Sequence, residues 1–417
     1  MFVRSEWERL RKVVIHRPGI EIDYAMIAPR AFLFERPFSK GNAIREHEEL
    51  ESKLKENGVN VTLLRDMFND KAKTDSRFRL AMEDNIKKRV LFYGDLDDSK
   101  QYADEFSKNL SHLDADTLFN LMILEPSIDI RRDERNNMQY PKIYSNIPLA
   151  NLYFMRDQQA TGAKGLISGR MRLPQRRGET SITGFIMENI LGKDHVRRVS
   201  ENGFFEGGDY IPCGEFGLIG TGPRTDHHGA MDAMNSGMFE HDEIFVLENP
   251  KYDFMTNDLL NNMHLDTYFN VASSSTVIAS TILSKKARGH VYLRDDGVYH
   301  EDRETNLYDY MKEKGFNFMD LSVVEQLSYS SNFLTISDGK IVCVDSFKVY
   351  ERLLKNNILS REISERGKFK IPSRGDPMFP VKEKMNDYGI DFITVDLEEL
   401  TGGYGGAHCM TMALERN

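Results

Sequence analysis

The stretch GGYGGAHC ends on Cys409, near the end of a 417-residue chain. Glycine leaves the backbone unrestricted, so a thiol behind such a loop sits where a small molecule can approach and a flap can open and close. As a thiolate it would be a nucleophile; the ordinary alternative is a glycine-rich turn around a buried thiol. In FFEGGDY, Glu206 and Asp209 flank two glycines, which fits either a backbone that approaches a ligand closely or a hairpin turn with two solvated acids. In MHLDTYF, His264 and Asp266 share a face if the segment is extended, and the carboxylate could then orient the imidazole and raise its basicity. A histidine satisfied inside the core reads the same way. NLYFMRD puts Asn151 and Asp157 at matching parity, although an Asp157 that caps a turn or pairs with Arg156 is the commoner outcome. Taken together, a thiol, a histidine and several carboxylates form a negative pocket with a nucleophile in it. Such a pocket suits a flat cation, because carboxylates bind guanidinium through two parallel hydrogen bonds.

These residues must be carried by a framework of alternating strands and helices. LRKVVIHRPG predicts a strand that stops at Pro18-Gly19, NAIREHEELESKLKENG a helix that stops at Gly58, and VNVTLL a second strand. From about residue 66 to about residue 145 the pattern changes: FRLAMEDNIKKRVLFYG, KQYADEFSKNLSHL and ADTLFNLMIL all read as helices, which predicts an inserted helical domain. After Pro148 short apolar strands punctuated by glycine return in KGLISG, GLIGTG, EIFVLEN, HVYLRDDG, GKIVCVDS and GIDFITVD. No repeat is visible at the residue level, yet the spacing suggests several similar ββαβ units around a common centre. The expected division is 1–65 and 146–417 for the α/β unit, with 66–145 inserted.

Composition narrows the function. Hydrophobic residues make up 40% and charged residues 29% of the chain, which is ordinary for a globular protein. The formal net charge is −10, with no basic patch of the kind nucleic acid requires. No signal-peptide-like run opens the chain, and no stretch of transmembrane length occurs. Cys213, Cys343 and Cys409 are few, odd in number and without a CxxC, which predicts a reducing compartment, the cytoplasm, and no disulfide framework. The adjacent His227 and His228 lack the ligand spacing of a zinc site.

At these motifs the chain resembles the arginine deiminase family of guanidine-modifying enzymes. VRSEWERLRKVVIHRPG, NLYFMRD, LPQRRGET, EGGD, HLDT and GGAHCMTMAL occur in the family's order along most of the length. The resemblance implies a pentein fold, a five-bladed α/β propeller of ββαβ modules with the helical insertion after the first. It implies hydrolysis of arginine to citrulline and ammonia, with no metal or organic cofactor. By position Cys409 matches the nucleophile, His264 and Glu206 the proton-transfer residues, and Asp157 and Asp266 the acids that grip the guanidinium. Asn151, Arg176 and Arg224 match the residues that hold the substrate's α-carboxylate. Family members commonly have an arginine between the two glycine pairs of the last loop, where this chain has Tyr404, so reaction class is better defined than substrate. An amidinotransferase, a hydrolase of another guanidine and a non-catalytic arginine-binding protein are the competing readings. The expected partner is a small guanidine, with no nucleic acid or membrane, and a homo-oligomer is left open.

Overall fold

The computed structural model describes residues 3–255, 262–373 and 375–417. It is a mixed α/β fold, and five of its six sheets among the described residues repeat one pairing pattern. In each, a first strand runs antiparallel to a central strand, and a third strand pairs parallel on the far side of the central one. The five sets are Gln159–Thr161, Leu166–Ser168 and Val196–Arg198; Tyr210–Cys213, Phe216–Thr221 and Glu243–Glu248; Phe269–Ser273, Thr276–Ala279 and Asn317–Asp320; Leu334–Ser337, Lys340–Val344 and Asp391–Val395; and Met412–Arg416, Leu10–Ile15 and Asn60–Leu63. The last set joins the two ends of the described chain.

A parallel pair needs a crossover, and helices supply it. Lys40–Glu56, Arg177–Leu191, His227–Met234, Thr281–Lys286 and Ser346–Lys355 each lie between a central strand and its parallel partner. Central strands covered on both faces read as continuous apolar runs, and Thr276–Ala279 is buried throughout. The Lys40–Glu56 helix starts with the Ser39 hydroxyl accepting from the Asn42 N–H and ends before Gly58 at φ +79°. A further hairpin, Arg288–Asp295 and Val298–Asn306, extends the Glu243–Glu248 edge.

The segment expected to be wholly helical is not. Helices Ser76–Lys87, Leu96–Asn109 and Ala115–Leu124 form within the stretches read as helical, a helix at Leu64–Thr74 precedes them, and they share the segment with a sheet of Leu91–Gly94, Pro126–Arg132 and Gln139–Ser145. FRLAMEDNIKKRVLFYG therefore divides: the helix stops at Lys87 and Leu91–Gly94 leaves as a strand. Leu-Phe-Tyr suits a pleated surface better than a helix, and Gly94, at φ +119°, lies against the Ile130 carbonyl, where a Cβ would stand 2.3 Å from the oxygen. No helix among the described residues is long and apolar enough to cross a membrane.

Candidate active site

Each of the five repeated sheets is entered through a short turn, and those turns meet. Asp157 lies immediately before the Gln159–Thr161 strand, Glu206 before Tyr210–Cys213, His264 and Asp266 before Phe269–Ser273, Asn332 before Leu334–Ser337, and Cys409 before Met412–Arg416. All six are buried.

His264 is the hub of one half. Its Nε2 lies 2.8 Å from Glu206 Oε2, and its Nδ1 lies 3.8 Å from Asp157 Oδ1. Burial alone would lower the imidazole's pKa, but Asp157, Glu206 and Asp209 outweigh it and raise it to about 9. Burial would conversely raise Glu206, yet the His264 bond and the Arg224 charge bring it down to about 2. The pair is an imidazolium and a carboxylate at neutral pH. Gly208 lets the backbone pass beneath it, because a Cβ there would stand 2.8 Å from His264 Nδ1 and 3.1 Å from Asp157 Oδ1. Asp209 supports the turn from below, accepting from Asn249 Nδ2 at 2.7 Å and the Leu265 N–H at 2.9 Å, and burial lifts its pKa to about 7.

Cys409 is the hub of the other half. Its Sγ is 3.4 Å from Asp266 Oδ2 and accepts from Asn332 Nδ2 at 3.1 Å. Burial, then the Asp266 and Asp157 charges, push the thiol well above its ordinary range and favour the protonated form. Asp266 Oδ2 also meets His408 Nδ1 at 2.8 Å, and His408 Nε2 faces Glu6 Oε1 at 3.4 Å. Glu6 accepts from Arg156 at 3.0 Å and Arg416 at 2.8 Å. Burial opposes its ionisation, but Arg156, Arg416 and His408 hold its carboxyl well below the usual range.

The cationic groups differ in how far they are committed. Arg176 donates to Asp157 Oδ2 at 2.5 Å and grips Glu179 through Nε and Nη2 at 3.0 and 2.8 Å. Arg224, also buried and close enough to act on Glu206 by its charge, makes a 3.8 Å contact from Nη2 to Met263 Sδ, and among the described residues its Nη1 has no hydrogen-bond partner. Asn151 donates to the Phe32 carbonyl at 2.8 Å.

A thiol, an imidazolium between carboxylates and a loosely held arginine, gathered from the turns of separate sheets, is a constellation that can be compared with known proteins. The family model described as arginine deiminase matches residues 30–416. The chain belongs to the arginine deiminase family. It is 24% identical to the arginine deiminase of Halobacterium salinarum over 99% of this chain and 96% of the relative. It is 27% identical to that of Limosilactobacillus reuteri over 87% of this chain and 92% of the relative. Its fold resembles a dimethylarginine dimethylaminohydrolase solved as an adduct with S-methyl-L-thiocitrulline, at TM-score 0.52 and 15% identity, covering 97% of this chain and 99% of that one. The Pseudomonas aeruginosa enzyme of that name, solved as a mutant with citrulline, gives TM-score 0.51 and 14% identity with the same coverage. This arginine deiminase family member is a hydrolase by family.

Within that member the residues singled out from the sequence converge, but by other means than strand parity. NLYFMRD is a run of turns, and HLDT is the short 3-10 helix Leu265–Thr267 entered from His264. His264 and Asp266 consequently do not form an orienting pair: Glu206 and Asp157 flank the first, and His408 and Cys409 contact the second. In GGYGGAHC the residue with left-handed backbone is Tyr404, at φ +72°, and none of the four glycines adopts positive φ. Sequence reasoning passed over Asn332, Glu6 and the role of His408. His408 stood within a quoted motif, whereas Asn332, in SSNF, carries no local signal.

Proposed function

We propose that this chain hydrolyses L-arginine to L-citrulline and ammonia through an S-linked thiouronium on Cys409. The observation that carries the reading is a pair of hubs that share Asp157 as a charged neighbour: a thiol hydrogen-bonded to Asp266, and an imidazolium fixed by Glu206 and Asp157. A guanidinium is resonance-stabilised and stays protonated, so it needs fixed counter-charges and a strong nucleophile. Asp157 and Asp266 provide the counter-charges. As the cation arrives it offsets the acids that hold the thiol up, and the Cys409 proton passes by way of Asp266 to solvent, leaving a thiolate beside the Asp266 carboxylate. Sγ bonds to the guanidinium carbon, and the tetrahedral adduct expels one nitrogen as ammonia, taking a proton from His264 as that C–N bond breaks. Neutral His264 then takes a proton from water as the oxygen bonds to the thiouronium carbon. The hydroxyl proton of this second adduct passes to solvent as the Sγ–C bond breaks, leaving citrulline and the thiolate. Glu206 balances the charge on His264 throughout.

Five sheets of one pairing pattern, joined through the Leu10–Ile15 and Met412–Arg416 strands, support a five-bladed propeller centred on this site. The 66–145 segment is then a unit inserted into the first blade. Arg224 is the better-placed holder of the substrate carboxylate, since Arg176 is engaged by Asp157 and Glu179, with Asn151 beside it.

That engagement of Arg176, with Tyr404 in the loop, favours a second reading in which the substrate is a guanidine without an α-carboxylate. Colorimetric assay of ureido product from arginine, agmatine, methylarginines and canavanine decides between them. Arginine should give the largest kcat/KM, and preference for agmatine would move the assignment to the second reading. Cys409→Ser should lower turnover of the preferred substrate by about 10³-fold or more; turnover at the native rate sinks both.

A further inference from the structure

Asn332 belongs to the turn entering the Leu334–Ser337 strand, the same position from which the other four repeated sheets deliver Asp157, Glu206, His264 with Asp266, and Cys409. It is fully buried, and every polar atom of its carboxamide is in use. Oδ1 accepts from the Gly406 N–H at 2.7 Å and from the Cys409 N–H at 3.1 Å. Two backbone donors on one atom fix the orientation of the amide, since the NH₂ group cannot face them. Nδ2 therefore points the other way, donating to Cys409 Sγ at 3.1 Å and to the Asp266 carbonyl at 3.3 Å. The Asn332 carbonyl completes the clasp by accepting from the His408 N–H at 3.1 Å.

The sulfur's two neighbours act in opposite directions once it ionises. Asp266 accepts from the thiol and repels the thiolate, whereas an amide N–H bonds more strongly to the anion than to the neutral sulfur. We propose that Asn332 is a catalytic residue of this site, its Nδ2 stabilising the charge on Sγ as the thiolate forms and is later released, while its Oδ1 holds Cys409 in place. The proposal rests on the reading of Cys409 as nucleophile. It makes the carboxamide a donor to a reacting atom, beyond a clasp for the loop.

The two roles separate through Asn332→Leu, which is neutral and of similar size. The measurement is the rate of iodoacetamide labelling of Cys409 at a fixed pH below the thiol's titration, followed by mass spectrometry of its peptide. Loss of the donor raises the thiol's pKa, and each unit slows labelling about tenfold. A merely loosened loop would let water in, lower the thiol's pKa and speed labelling. Slowing by about tenfold supports the proposal; an unchanged or faster rate overturns it. Should that variant fail to fold, Asn332→Met is neutral, offers a thioether as a weak acceptor to Gly406 and Cys409, and lacks the donor. Slower labelling, with those two amides still protected from hydrogen exchange, then supports the proposal, and native labelling overturns it. Labelling reads the sulfur without any substrate. Turnover surviving in Cys409→Ser thus removes the reading of Cys409, while native labelling in the Asn332 variants removes the role of Asn332 alone.

Discussion

The candidate site and the 66–145 segment both carry many charges but use them differently. At the centre, Glu6 with Arg416, and Asp157 with Arg176, form pairs in which no side chain is more than 4% exposed. In the 66–145 segment, Lys73–Asp70 is 71% and 78% exposed and Lys87–Asp84 is 38% and 68% exposed. An ion in water gains little from a partner, whereas a buried ion stripped of its partner is costly. The lesson is that exposed pairs of this kind can vary freely, while the site constrains each charge through the next: Cys409 to Asp266, to His408, to Glu6, to Arg156 and Arg416.

The sharpest test of that contrast is Glu6→Ala, which leaves Arg156 and Arg416 buried without their carboxylate. It should destabilise the fold by about 3–5 kcal/mol in denaturant unfolding. A loss under about 1 kcal/mol would erase the distinction between the two regions. Next is Glu206→Gln. Because the folded pKa of His264 is raised from 6.5 to about 9, its stabilising pair is complete below about 6.5 and lost as pH rises through about 9. Because Glu206 is lowered from 4.5 to about 2, its share is present above about 4.5 and lost as pH falls through about 2. With the carboxylate gone, kcat should drop about 10²-fold, and the basic limb of its pH profile should move down from about 9 by about a unit or more. A limb that stays in place would mean that Glu206 does not set the histidine's proton affinity.

Gly208→Ala is milder, pressing a methyl against His264 and Asp157 at a cost of about 1–3 kcal/mol, with a lower kcat measured beside the unfolding curve. Smallest is Asp116→Asn in the 66–145 segment, expected to change stability by less than about 1 kcal/mol and activity not at all. A larger effect would give that segment a part in the site.

The candidate groups were legible because a thiol and a histidine are rare types and stand in marked company: Cys409 after GGYGGAH, Glu206 beside two glycines in EGGD, His264 two residues from Asp266 in HLDT. It also exposed the strand and helix alternation, since central strands buried on both faces are unbroken apolar runs. What it hid was adjacency. The site lies in turns, where the two-residue alternation of a strand has no meaning, so parity paired His264 with Asp266 when their partners lie on other turns. Asn332 was invisible because its significance is a contact with a residue 77 positions away, and an asparagine ahead of a strand is otherwise an ordinary turn former. The Leu91–Gly94 strand was masked by the helix that runs into it.

The Met412–Arg416 strand follows directly on Cys409 and is zipped to Leu10–Ile15, while Arg416 anchors on Glu6. The position of Cys409 is therefore tied to a pairing between segments far apart in sequence: whatever loosens Met412–Arg416 from Leu10–Ile15 moves the sulfur with it.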